Sequence, residues 1–500
     1  MSAMRLDALL AGIARPARGD RRVSGLTLDS HSVRPGDAFV ALAGMQHHGI
    51  EFAPAAVRAG AVAVIAEAAA AQDRAALPAR GKVSEEGTTD AIWIDQLRQH
   101  LGAIAARFYG DPSAAMTVVG VTGTSGKTST VQLLAQAFTQ LGHRSATIGT
   151  LGAGLDGALH AGARTTPDVI QVHGFMAGFR AEGATHVAME VSSHALDQRR
   201  VDGVHFDIAV FTNLTRDHLD YHKTMEAYGA AKAKLFAWPG LAAAVIDVDD
   251  AFGRKLTGRV TRGARVIRYG VRSGDVDVRA TDIATHTDGT DFTLITPWGD
   301  ARVASRLLGR FNVANLLAVA GVLGALDVPF AKIHAALATL QPVAGRMNRL
   351  GGGALPLIVV DYSHKPDPLE QVLTTLREHC AGRLTCVFGC GGERDAGKRP
   401  LMGAIAERLA DRVVVTDDNP RGEDGDAIVA QILAGMHAPG HARVERDRAR
   451  AIAGALAEAH AGDVVLIAGK GHETYQEIAG HKRPFNDLDV ARAALEARPC

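Results

Sequence analysis

Residues 116–138 read MTVVGVTGTSGKTSTVQLLAQAF, and this stretch decides the fold of the middle of the chain. An apolar run, typical of a buried strand, leads into a glycine-rich turn. After the turn, apolar residues recur with helical spacing at Val131, Leu134 and Phe138. A strand, a glycine-rich turn and a helix in this order form a phosphate-binding loop, in which backbone N–H groups and the helix N-terminus hold phosphate oxygens.

The loop departs from the common phosphate-loop pattern at one position. Val121 stands where that pattern has a glycine five places before the Gly-Lys pair. A plain glycine-rich turn is the alternative, but the strand and helix around the loop favour phosphate binding. We expect Lys127 at the β and γ phosphates and the Thr128 hydroxyl on Mg²⁺. The other expected nucleotide contacts are Gly123, Thr124, Ser125 and Gly126. The sequence has no NKxD motif to read guanine, so we expect ATP.

Composition limits the possible partners. The chain has 500 residues, and about 150 residues per domain predicts about three domains. Lys plus Arg and Asp plus Glu are both 54, so no overall electrostatic field favours binding to nucleic acid or to an anionic membrane.

The sequence shows no targeting or membrane-spanning pattern. The start, MSAMRLDALLAGIARPARG, carries Arg5 and Asp7 and does not resemble a signal peptide. The longest apolar run, 59–71, contains Glu67 and is too short to span a membrane, so we expect a cytoplasmic protein.

The cysteines do not indicate a structural site. Four cysteines in 500 residues do not make a disulfide framework. Cys386 and Cys390 form a CxxxC pair, and no second pair completes a zinc site. We expect reduced, mostly packed thiols.

Short apolar runs alternate with helical stretches, the pattern of parallel sheets covered by helices. The runs are 116–123, 185–193, 206–218 and 242–250 in a middle block, and 355–364, 384–392, 412–422 and 464–473 in a last block. A seam rich in Gly and Pro, 341–356, separates the blocks, a weaker one lies at 109–112, and the polar stretch 80–90 is an expected surface loop. We therefore expect an α/β protein with a smaller N-terminal α/β domain (1–108), a central phosphate-loop ATPase domain with a mostly parallel sheet (109–341), and a C-terminal doubly wound, Rossmann-like domain (342–500).

Nearly every apolar run ends in Gly, Asp, Asn, Ser or His, so polar groups gather at the carboxyl ends of the strands, where open α/β sheets bind ligands. Glu190 ends one run and His218 ends the next. We expect the two on neighbouring strands, both facing Mg²⁺, although Mg²⁺ usually favours oxygen ligands. A purely structural role for each is the alternative.

Ten motifs together resemble the Mur ligases. They occur in the family's order and approximate spacing: GxxGTSGKT (120–128), MEVSSHALxQxR (189–200), TNLTRDHLDYH (212–222), AAKAKLF (230–236), GRFNVxN (309–315), GRM (345–347), DYSHKPD (361–367), CGGERDxGKRPLM (390–402), DNPR (418–421) and GKGHE (469–473). The resemblance covers nearly the whole chain. The family's loop is GxxGTxGKT, so Val121 is no defect.

The resemblance implies an ATP-dependent amide ligase of cytoplasmic peptidoglycan precursor synthesis. Such an enzyme phosphorylates the D-glutamate side-chain carboxylate of UDP-N-acetylmuramoyl-L-Ala-D-Glu, and an amine then attacks the acyl phosphate. The match is best to the branch that adds meso-2,6-diaminopimelate. The implied cofactors are ATP and Mg²⁺, and the protein is expected to be a monomer.

The resemblance also implies roles for individual residues. Glu190 and His218 lie near the metal, and Lys232 becomes a carbamate that supports Mg²⁺; an ordinary helical lysine beside Lys234 is the alternative. Further nucleotide contacts are Asn312, Arg346 and Asp361. The muramoyl dipeptide contacts are Thr165, Thr166, Ser192, Gln198 and Arg200. The uridine stretch supplies Ser30, Leu28, Gln46 and His47. Here the chain departs from the family, with His31 and His48 where DSR and DG are usual.

The DNPR motif concerns the incoming amino acid. Diaminopimelate carries a second amino-carboxylate centre that lysine lacks, and Arg421 can bind its carboxylate through paired hydrogen bonds. Lysine would leave the guanidinium unpaired, which disfavours the lysine-adding alternative. The implied contacts are Arg394, Asp418, Asn419, Pro420, Arg421, Gly469 and Glu473, with Glu473 on the distal ammonium. Two further alternatives are folylpolyglutamate synthetase, which would not need the uridine-binding stretch, and a non-catalytic ATP-binding sensor of wall precursors.

Overall fold

The structure is a computed structural model that describes residues 3–44, 47–68, 91–162 and 164–497. By its internal contacts the chain forms two compact units. The first comprises Met1–Val131, Phe138–Ile246 and Asp250–Val266, and the second Gln132–Ala137, Asp247–Asp249 and Ile267–Cys500. The stretch 80–90, expected to be a surface loop, lies outside the described residues. The domain limits expected at 108 and 341 stay a prediction.

The N-terminal part of the first unit is a small α/β layer. Its elements are β1 (Met4–Arg5), α1 (Leu6–Leu9), β2 (Arg22–Val23), β3 (Gly25–Thr27), β4 (Asp37–Ala41), α2 (Ala53–Arg58), β5 (Ala63–Ala68), β6 (Ala91–Asp95) and α3 (Leu97–Tyr109). Four parallel strands pair in the order β3-β4-β5-β6. Every residue of β4 is buried, as expected for a parallel strand covered on both faces.

The rest of the first unit carries the phosphate loop. Its elements are β7 (Thr117–Thr122), α4 (Lys127–Gln140), β8 (Ser145–Gly149), β9 (Gly152–Leu155), β10 (Ala158–His160), α5 (Val169–Ala181), β11 (His186–Glu190), α6 (Ser193–Asp197), β12 (Ile208–Phe211), α7 (Leu219–His222), α8 (Met225–Ala233), β13 (Ala243–Asp247) and α9 (Ala251–Leu256). The strand order is β10-β9-β8-β11-β7-β12-β13. The five strands from β8 to β13 in this order are parallel, so their carboxyl ends meet at one edge.

The main segment of the second unit, Ile267–Cys500, contains an antiparallel meander near its start. The elements that follow α9 are β14 (Arg265–Gly270), β15 (Val278–His286), β16 (Gly289–Thr296), β17 (Gly299–Ser305), α10 (Arg310–Ala325) and α11 (Phe330–Thr339). β15, β16 and β17 pair antiparallel. α10 is apolar on nearly all sides, and most of its residues are buried.

The C-terminal part of this unit is a doubly wound sheet. Its elements are β18 (Asn348–Gly351), β19 (Leu357–Asp361), α12 (Pro366–Glu378), β20 (Leu384–Phe388), α13 (Lys398–Leu409), β21 (Arg412–Val415), α14 (Gly425–Leu433), β22 (Arg443–Val444), α15 (Arg448–Ala457), β23 (Val464–Ala468), β24 (Tyr475–Ile478), β25 (His481–Pro484) and α16 (Asp487–Glu496). The order is β18-β19-β23-β20-β21-β22, with β18 antiparallel and the others parallel.

Alternation along β19 shows why helices cover both faces of this sheet. Leu357 and Val359 pack in one core with α12, α13 and α14, whereas Ile358 and Val360 pack in another with α15 and α16. Successive strand side chains point to opposite faces, so an unbroken apolar run needs a helix layer on each side. The prediction of a doubly wound C-terminal domain is confirmed. Each of the eight predicted apolar runs contains a strand, and no described helix is long and apolar enough to cross a membrane.

Candidate active site

The phosphate loop is held by the segment that follows β12. Asn213 accepts hydrogen bonds from the backbone N–H of Thr124 at its carbonyl and of Ser125 at its side-chain oxygen, both at 2.9 Å. A Cβ on Gly123 would lie 1.9 Å from Thr212 Oγ1, so only glycine fits there. The sequence interpretation missed Asn213 as a loop support, although it belongs to the TNLTRDH motif.

Lys127 and Thr128 open α4 directly after the loop. The Lys127 ammonium donates to the carbonyl oxygens of Gly123 at 2.8 Å and Thr124 at 2.9 Å, so its side chain folds back over the loop. Thr128 is buried in the first turn of the helix. The glycine-rich loop, the N-terminus of α4 and the Lys127 ammonium therefore lie next to each other, which is the arrangement that holds phosphate oxygens.

Glu190 ends β11, directly beside β7, and is 1% exposed. Its carboxylate accepts hydrogen bonds from the backbone N–H of Thr150 at 2.7 Å and from the Thr150 hydroxyl at 3.2 Å. Thr150 also contacts Thr165, hydroxyl to hydroxyl, at 3.1 Å. Thr150 thus fixes a buried carboxylate beside the phosphate loop, and no motif drew attention to it.

The expectation that Glu190 and His218 lie on neighbouring strands is wrong. β7 lies between β11 and β12, so the two strands flank the phosphate-loop strand instead of each other. His218 also lies beyond the end of β12, in a left-handed conformation (φ 54°) immediately before α7. Chain order gives no strand order, because a crossover helix can return the chain to either side of a strand.

Lys232 in α8 is 1% exposed and reaches the same loop. Its ammonium donates to the Gly123 carbonyl at 2.7 Å and lies 4.4 Å from the centroid of the Tyr228 ring. Burial, reinforced by the nearby Lys127 charge and opposed by Asp217, lowers the pKa of Lys232 well below its ordinary value. Burial therefore favours the neutral amine of Lys232 over its ammonium form. Lys234, by contrast, is a half-exposed lysine paired with Asp197 at 2.9 Å.

The expected magnesium ligands are chemically mixed. The Thr128 hydroxyl, the Glu190 carboxylate and a carbamate on Lys232 would present hard oxygen donors, which Mg²⁺ prefers, whereas His218 would present nitrogen. Among the described residues there is no cluster of three or more His, Cys, Asp or Glu side chains that could hold a metal. A carbamate on Lys232 would add a second carboxylate-like donor to that of Glu190.

The residues expected to hold the muramoyl dipeptide form one network. The buried Thr166 hydroxyl donates to the Glu190 carbonyl at 2.8 Å and accepts from the backbone N–H of Ser192 at 3.1 Å. The Arg200 guanidinium donates to the Thr166 carbonyl at 3.0 Å and to Gln198 Oε1 at 3.0 Å. Burial, followed by the charge of Arg164, lowers the pKa of Arg200. The surroundings therefore favour a bound anion.

The expected uridine contacts lie in a short turn and loop of the N-terminal part. Ser30 opens a 3₁₀ turn that Asp29 caps by accepting from His31 N at 2.9 Å and from Ser32 Oγ at 2.8 Å. Leu28 packs against the N-terminal core, and Gln46 lies outside the described residues. His47 pairs with Glu51 at 3.2 Å.

The two off-pattern histidines have local structural roles. His48 Nδ1 accepts from Ile50 N at 3.1 Å and caps the turn Gly49–Phe52, as an aspartate would. His31 Nδ1 lies 3.3 Å from Asp29 Oδ1, within the other capped turn. His31 and His48 differ from the residues usual in the family, but each lies in a capped turn that is still formed.

Three expected nucleotide contacts lie in the second unit. Asn312 is buried in α10 and donates to the Leu308 carbonyl at 2.9 Å. The Arg346 guanidinium carbon lies 5.4 Å from the Tyr362 ring centroid. Asp361, at the end of β19, accepts from two backbone N–H groups, of Met347 at 2.9 Å and Ser363 at 2.8 Å.

The DNPR motif follows β21 and lies against the segment that follows β23. Arg421 has a left-handed backbone (φ 53°), donates to the Gly392 carbonyl at 2.7 Å, and lies 3.8 Å from a Glu477 carboxylate oxygen. A Cβ on Gly469 would lie 2.5 Å from Asp418 Oδ2, so the two segments touch. Burial raises the pKa of Asp418. The structure brings these residues together, with Pro420 buried and Arg394 exposed in the neighbouring GGERD loop.

Two buried cations support this pocket, and the motif interpretation assigned neither. Lys470 contacts both Asn419 and Glu473. Arg448 forms a fully buried pair with Asp487 at 2.7 Å and donates to the carbonyls of Ala468 at 3.0 Å and Asp417 at 3.3 Å. Lys470 lies inside GKGHE and could have been noticed, whereas the pairing of Arg448 depends on tertiary packing alone.

Comparison with known proteins agrees with this geometry. Three family models match consecutive parts of the chain: the Mur ligase family catalytic domain over 22–109, the Mur ligase middle domain over 121–323, and the Mur ligase glutamate ligase domain over 345–471. A curated relative from Xylella fastidiosa (strain 9a5c), UDP-N-acetylmuramoyl-L-alanyl-D-glutamate–2,6-diaminopimelate ligase, is 57% identical over 96% of both chains.

Solved structures are similar along the whole length. A structure of a UDP-N-acetylmuramoyl-L-alanyl-D-glutamate–2,6-diaminopimelate ligase has a TM-score of 0.73 and 36% identity and covers 99% of both chains. MurF ligase from Thermotoga maritima in complex with ADP shares the fold, with a TM-score of 0.61 and 22% identity, covering 95% of this chain and 98% of the other. The family models, the identity along nearly the whole chain and the site geometry agree, and the chain belongs to the Mur ligase family.

Proposed function

We propose that this protein is an ATP-dependent ligase that joins meso-2,6-diaminopimelate to the D-glutamate of UDP-N-acetylmuramoyl-L-Ala-D-Glu in peptidoglycan precursor synthesis. It acts in the cytoplasm, as a monomer. The observation that carries the proposal is a pair of binding sites in one chain. One surrounds a phosphate loop and a buried carboxylate. The other is formed where the DNPR segment meets the GKGHE segment, through the 2.9 Å hydrogen bond from Asn419 to Glu473.

ATP binds at the phosphate loop. Backbone N–H groups at the start of α4 and the Lys127 ammonium receive the phosphate oxygens, and Asn213 keeps the loop in shape before the ligand arrives. Asn312, Arg346 and Asp361 supply the remaining nucleotide contacts. Because Gly123 has no side chain, the loop packs directly against Thr212 and Asn213, which fixes its position.

Mg²⁺ fits the donors around the loop. Thr128, Glu190 and carbamylated Lys232 would hold it through oxygen, with His218 nearby. When bound, the metal neutralises charge that develops on the phosphates. Lys232 can form a carbamate because its lowered pKa favours the neutral amine that adds to carbon dioxide.

The reaction proceeds by carboxylate activation. An oxygen of the D-glutamate side-chain carboxylate attacks the γ-phosphorus, and the bond from that phosphorus to ADP breaks. The amine of the acceptor then attacks the acyl carbon, phosphate leaves with the electron pair of the C–O bond, and the amine loses a proton. Arg200, Gln198 and Thr166 hold the anionic peptide in position for the first step.

The acceptor binds at the DNPR and GKGHE segments. Arg421 binds the distal carboxylate, and Glu473 binds the distal ammonium. L-Lysine has no distal carboxylate and would leave the Arg421 guanidinium without its paired hydrogen bonds to the ligand, so discrimination of roughly 10⁴ is attainable. Arg394, Asp418, Asn419 and Gly469 complete the pocket.

The proposal is tested by ATP-dependent phosphate release in the presence of UDP-N-acetylmuramoyl-L-Ala-D-Glu, with meso-diaminopimelate and L-lysine compared as acceptors. Mass spectrometry identifies the product. We expect turnover with diaminopimelate and the mass of the tripeptide. Turnover chiefly with L-lysine would refute the role of Arg421, and ATP hydrolysis without a peptide product would refute ligation.

A further inference from the structure

We propose that Lys470 determines acceptor specificity by neutralising Glu473, so that the pocket favours a zwitterionic distal centre over a lone ammonium. This inference rests on the proposed function, because it concerns the choice between diaminopimelate and L-lysine. Glu473 is the expected partner of the distal ammonium. The structure shows that an ammonium of the protein itself already contacts this carboxylate.

Lys470, Asn419 and Glu473 form a closed triangle of hydrogen bonds. The Lys470 ammonium donates to Asn419 Oδ1 at 3.0 Å and to Glu473 Oε2 at 2.9 Å, and Asn419 Nδ2 donates to the same Glu473 oxygen at 2.9 Å. Asn419 Oδ1 also accepts from the backbone N–H of Glu477 at 2.9 Å. One oxygen of Glu473 is therefore committed to the protein, and its other oxygen remains for a ligand.

Burial gives the Lys470–Glu473 contact its weight. The Lys470 side chain is 0% exposed, and Glu473 is 22% exposed. An ion pair in such surroundings is screened little by water, so its charges compensate each other strongly. Lys470 lies in a tight turn, because Gly469 and Gly471 on either side have positive φ (116° and 54°), and a Cβ on Gly471 would lie 2.7 Å from Tyr362 Cβ.

Three ion pairs lie around the pocket. Arg421 lies 3.8 Å from a Glu477 oxygen, Lys470 pairs with Glu473, and Arg448 pairs with Asp487. A distal centre with one carboxylate and one ammonium adds no net charge beside these pairs. The ε-ammonium of L-lysine adds one positive charge that Glu473, already paired with Lys470, compensates only in part.

The test compares kcat/KM for meso-diaminopimelate and L-lysine in the wild type and in Lys470→Met. Removal of the ammonium leaves Glu473 as an uncompensated anion that attracts any ammonium. We expect kcat/KM for diaminopimelate to fall about tenfold to a hundredfold, since Asn419 and Glu473 lose their support. The kcat/KM for L-lysine should stay level or rise, so the preference for diaminopimelate over L-lysine falls at least about tenfold. A comparable loss with both acceptors would mean a purely structural role and overturn the proposal.

Two further variants make the test decisive. Lys482→Met is the matched control. Lys482 and Lys470 both approach the Tyr475 ring, with their ammonium groups 4.6 Å and 5.6 Å from its centroid, but Lys482 is exposed. Lys482→Met should keep the wild-type ratio of kcat/KM for diaminopimelate to kcat/KM for L-lysine.

Glu473→Gln leaves Lys470 as the uncompensated charge, so activity with L-lysine should fall more than activity with diaminopimelate. This second variant tests the proposal even if Lys470→Met does not fold. An unchanged ratio in Glu473→Gln would contradict the charge argument. Failure of the wild type to ligate diaminopimelate would instead refute the proposed function.

Discussion

Two buried lysines of this chain lie in opposite surroundings. Lys232 contacts a carbonyl oxygen and an aromatic ring and has a second cation nearby, so burial acts against its charge. Lys470 contacts a carboxylate and an amide oxygen, which support its charge. Both are essentially inaccessible to water.

The difference shows how one residue type serves two chemistries. A buried lysine without a carboxylate partner favours its neutral form, and a neutral amine is a nucleophile. A buried lysine paired with a carboxylate is a fixed cation that shapes the local field. We therefore expect modification at Lys232, where the phosphate site needs an oxygen donor, and electrostatic support from Lys470, where the amino acid binds.

The largest expected effect is the loss of activity on removal of the Lys232 side chain. Lys232→Ala should lower kcat about 10³-fold, because it removes both the carbamate and its support for the metal. Steady-state phosphate release measures the loss. After incubation with carbon-13 bicarbonate, a carbamate signal in carbon-13 NMR should be present in the wild type and in Lys470→Met and absent in Lys232→Ala. A signal that survives Lys232→Ala would place the modification elsewhere.

The next effect is on folding. Lys470→Met should destabilise the protein by about 2–4 kcal/mol, because it leaves the Glu473 carboxylate partly buried without its cation. Denaturant unfolding measures this in the absence of substrates. A variant as stable as the wild type would show that the Lys470–Glu473 pair is replaced by water at no cost.

Lys232→Met should act in the opposite direction, raising stability by about 1–2 kcal/mol near pH 7 in buffer free of carbon dioxide. The folded pKa of Lys232 is lowered, so between that value and the ordinary value near 10.5 the unfolded chain binds more protons than the folded one. Wild-type stability therefore rises with pH across this window, and the advantage of Lys232→Met shrinks. Unfolding at several pH values checks the sign, and a constant advantage would contradict the lowered pKa.

The smallest effect is expected at Lys234, which lies on the surface beside Asp197 at 2.9 Å. Exposed ion pairs contribute little, so Lys234→Met should change stability by at most about 0.5 kcal/mol and leave activity near that of the wild type. It serves as the baseline for both buried lysines. A loss of activity comparable to that of Lys232→Ala would mean that the whole helix end, and not the buried ammonium, matters.

Much of the fold is visible in the sequence. The apolar runs predict the parallel strands, because a strand covered on both faces is apolar throughout, and the polar residue after each run marks the ligand edge. The phosphate loop follows from local order alone. The position of β7 between β11 and β12 does not, since local periodicity contains no information on which strands become neighbours.

The sequence motifs indicate many residues of the candidate site, but they do not indicate which of those residues contact each other. Arg421, Glu473 and Asn419 stand in recognisable motifs, but the contact of Lys470 with Asn419 joins two motifs 51 residues apart. The function of His48 as a turn cap also needed coordinates, because histidine replaces aspartate there only if its ring nitrogen reaches Ile50 N. Partners that come together through tertiary structure cannot be read from spacing along the chain.

The most direct measurement of the central claim follows one oxygen atom. UDP-N-acetylmuramoyl-L-Ala-D-Glu is labelled with oxygen-18 in the side-chain carboxylate of its glutamate and supplied with ATP and meso-diaminopimelate. Activation through an acyl phosphate predicts that each tripeptide formed releases one phosphate that carries a labelled oxygen. Unlabelled phosphate beside a correctly formed tripeptide would contradict carboxylate phosphorylation, and with it the role assigned to the phosphate loop.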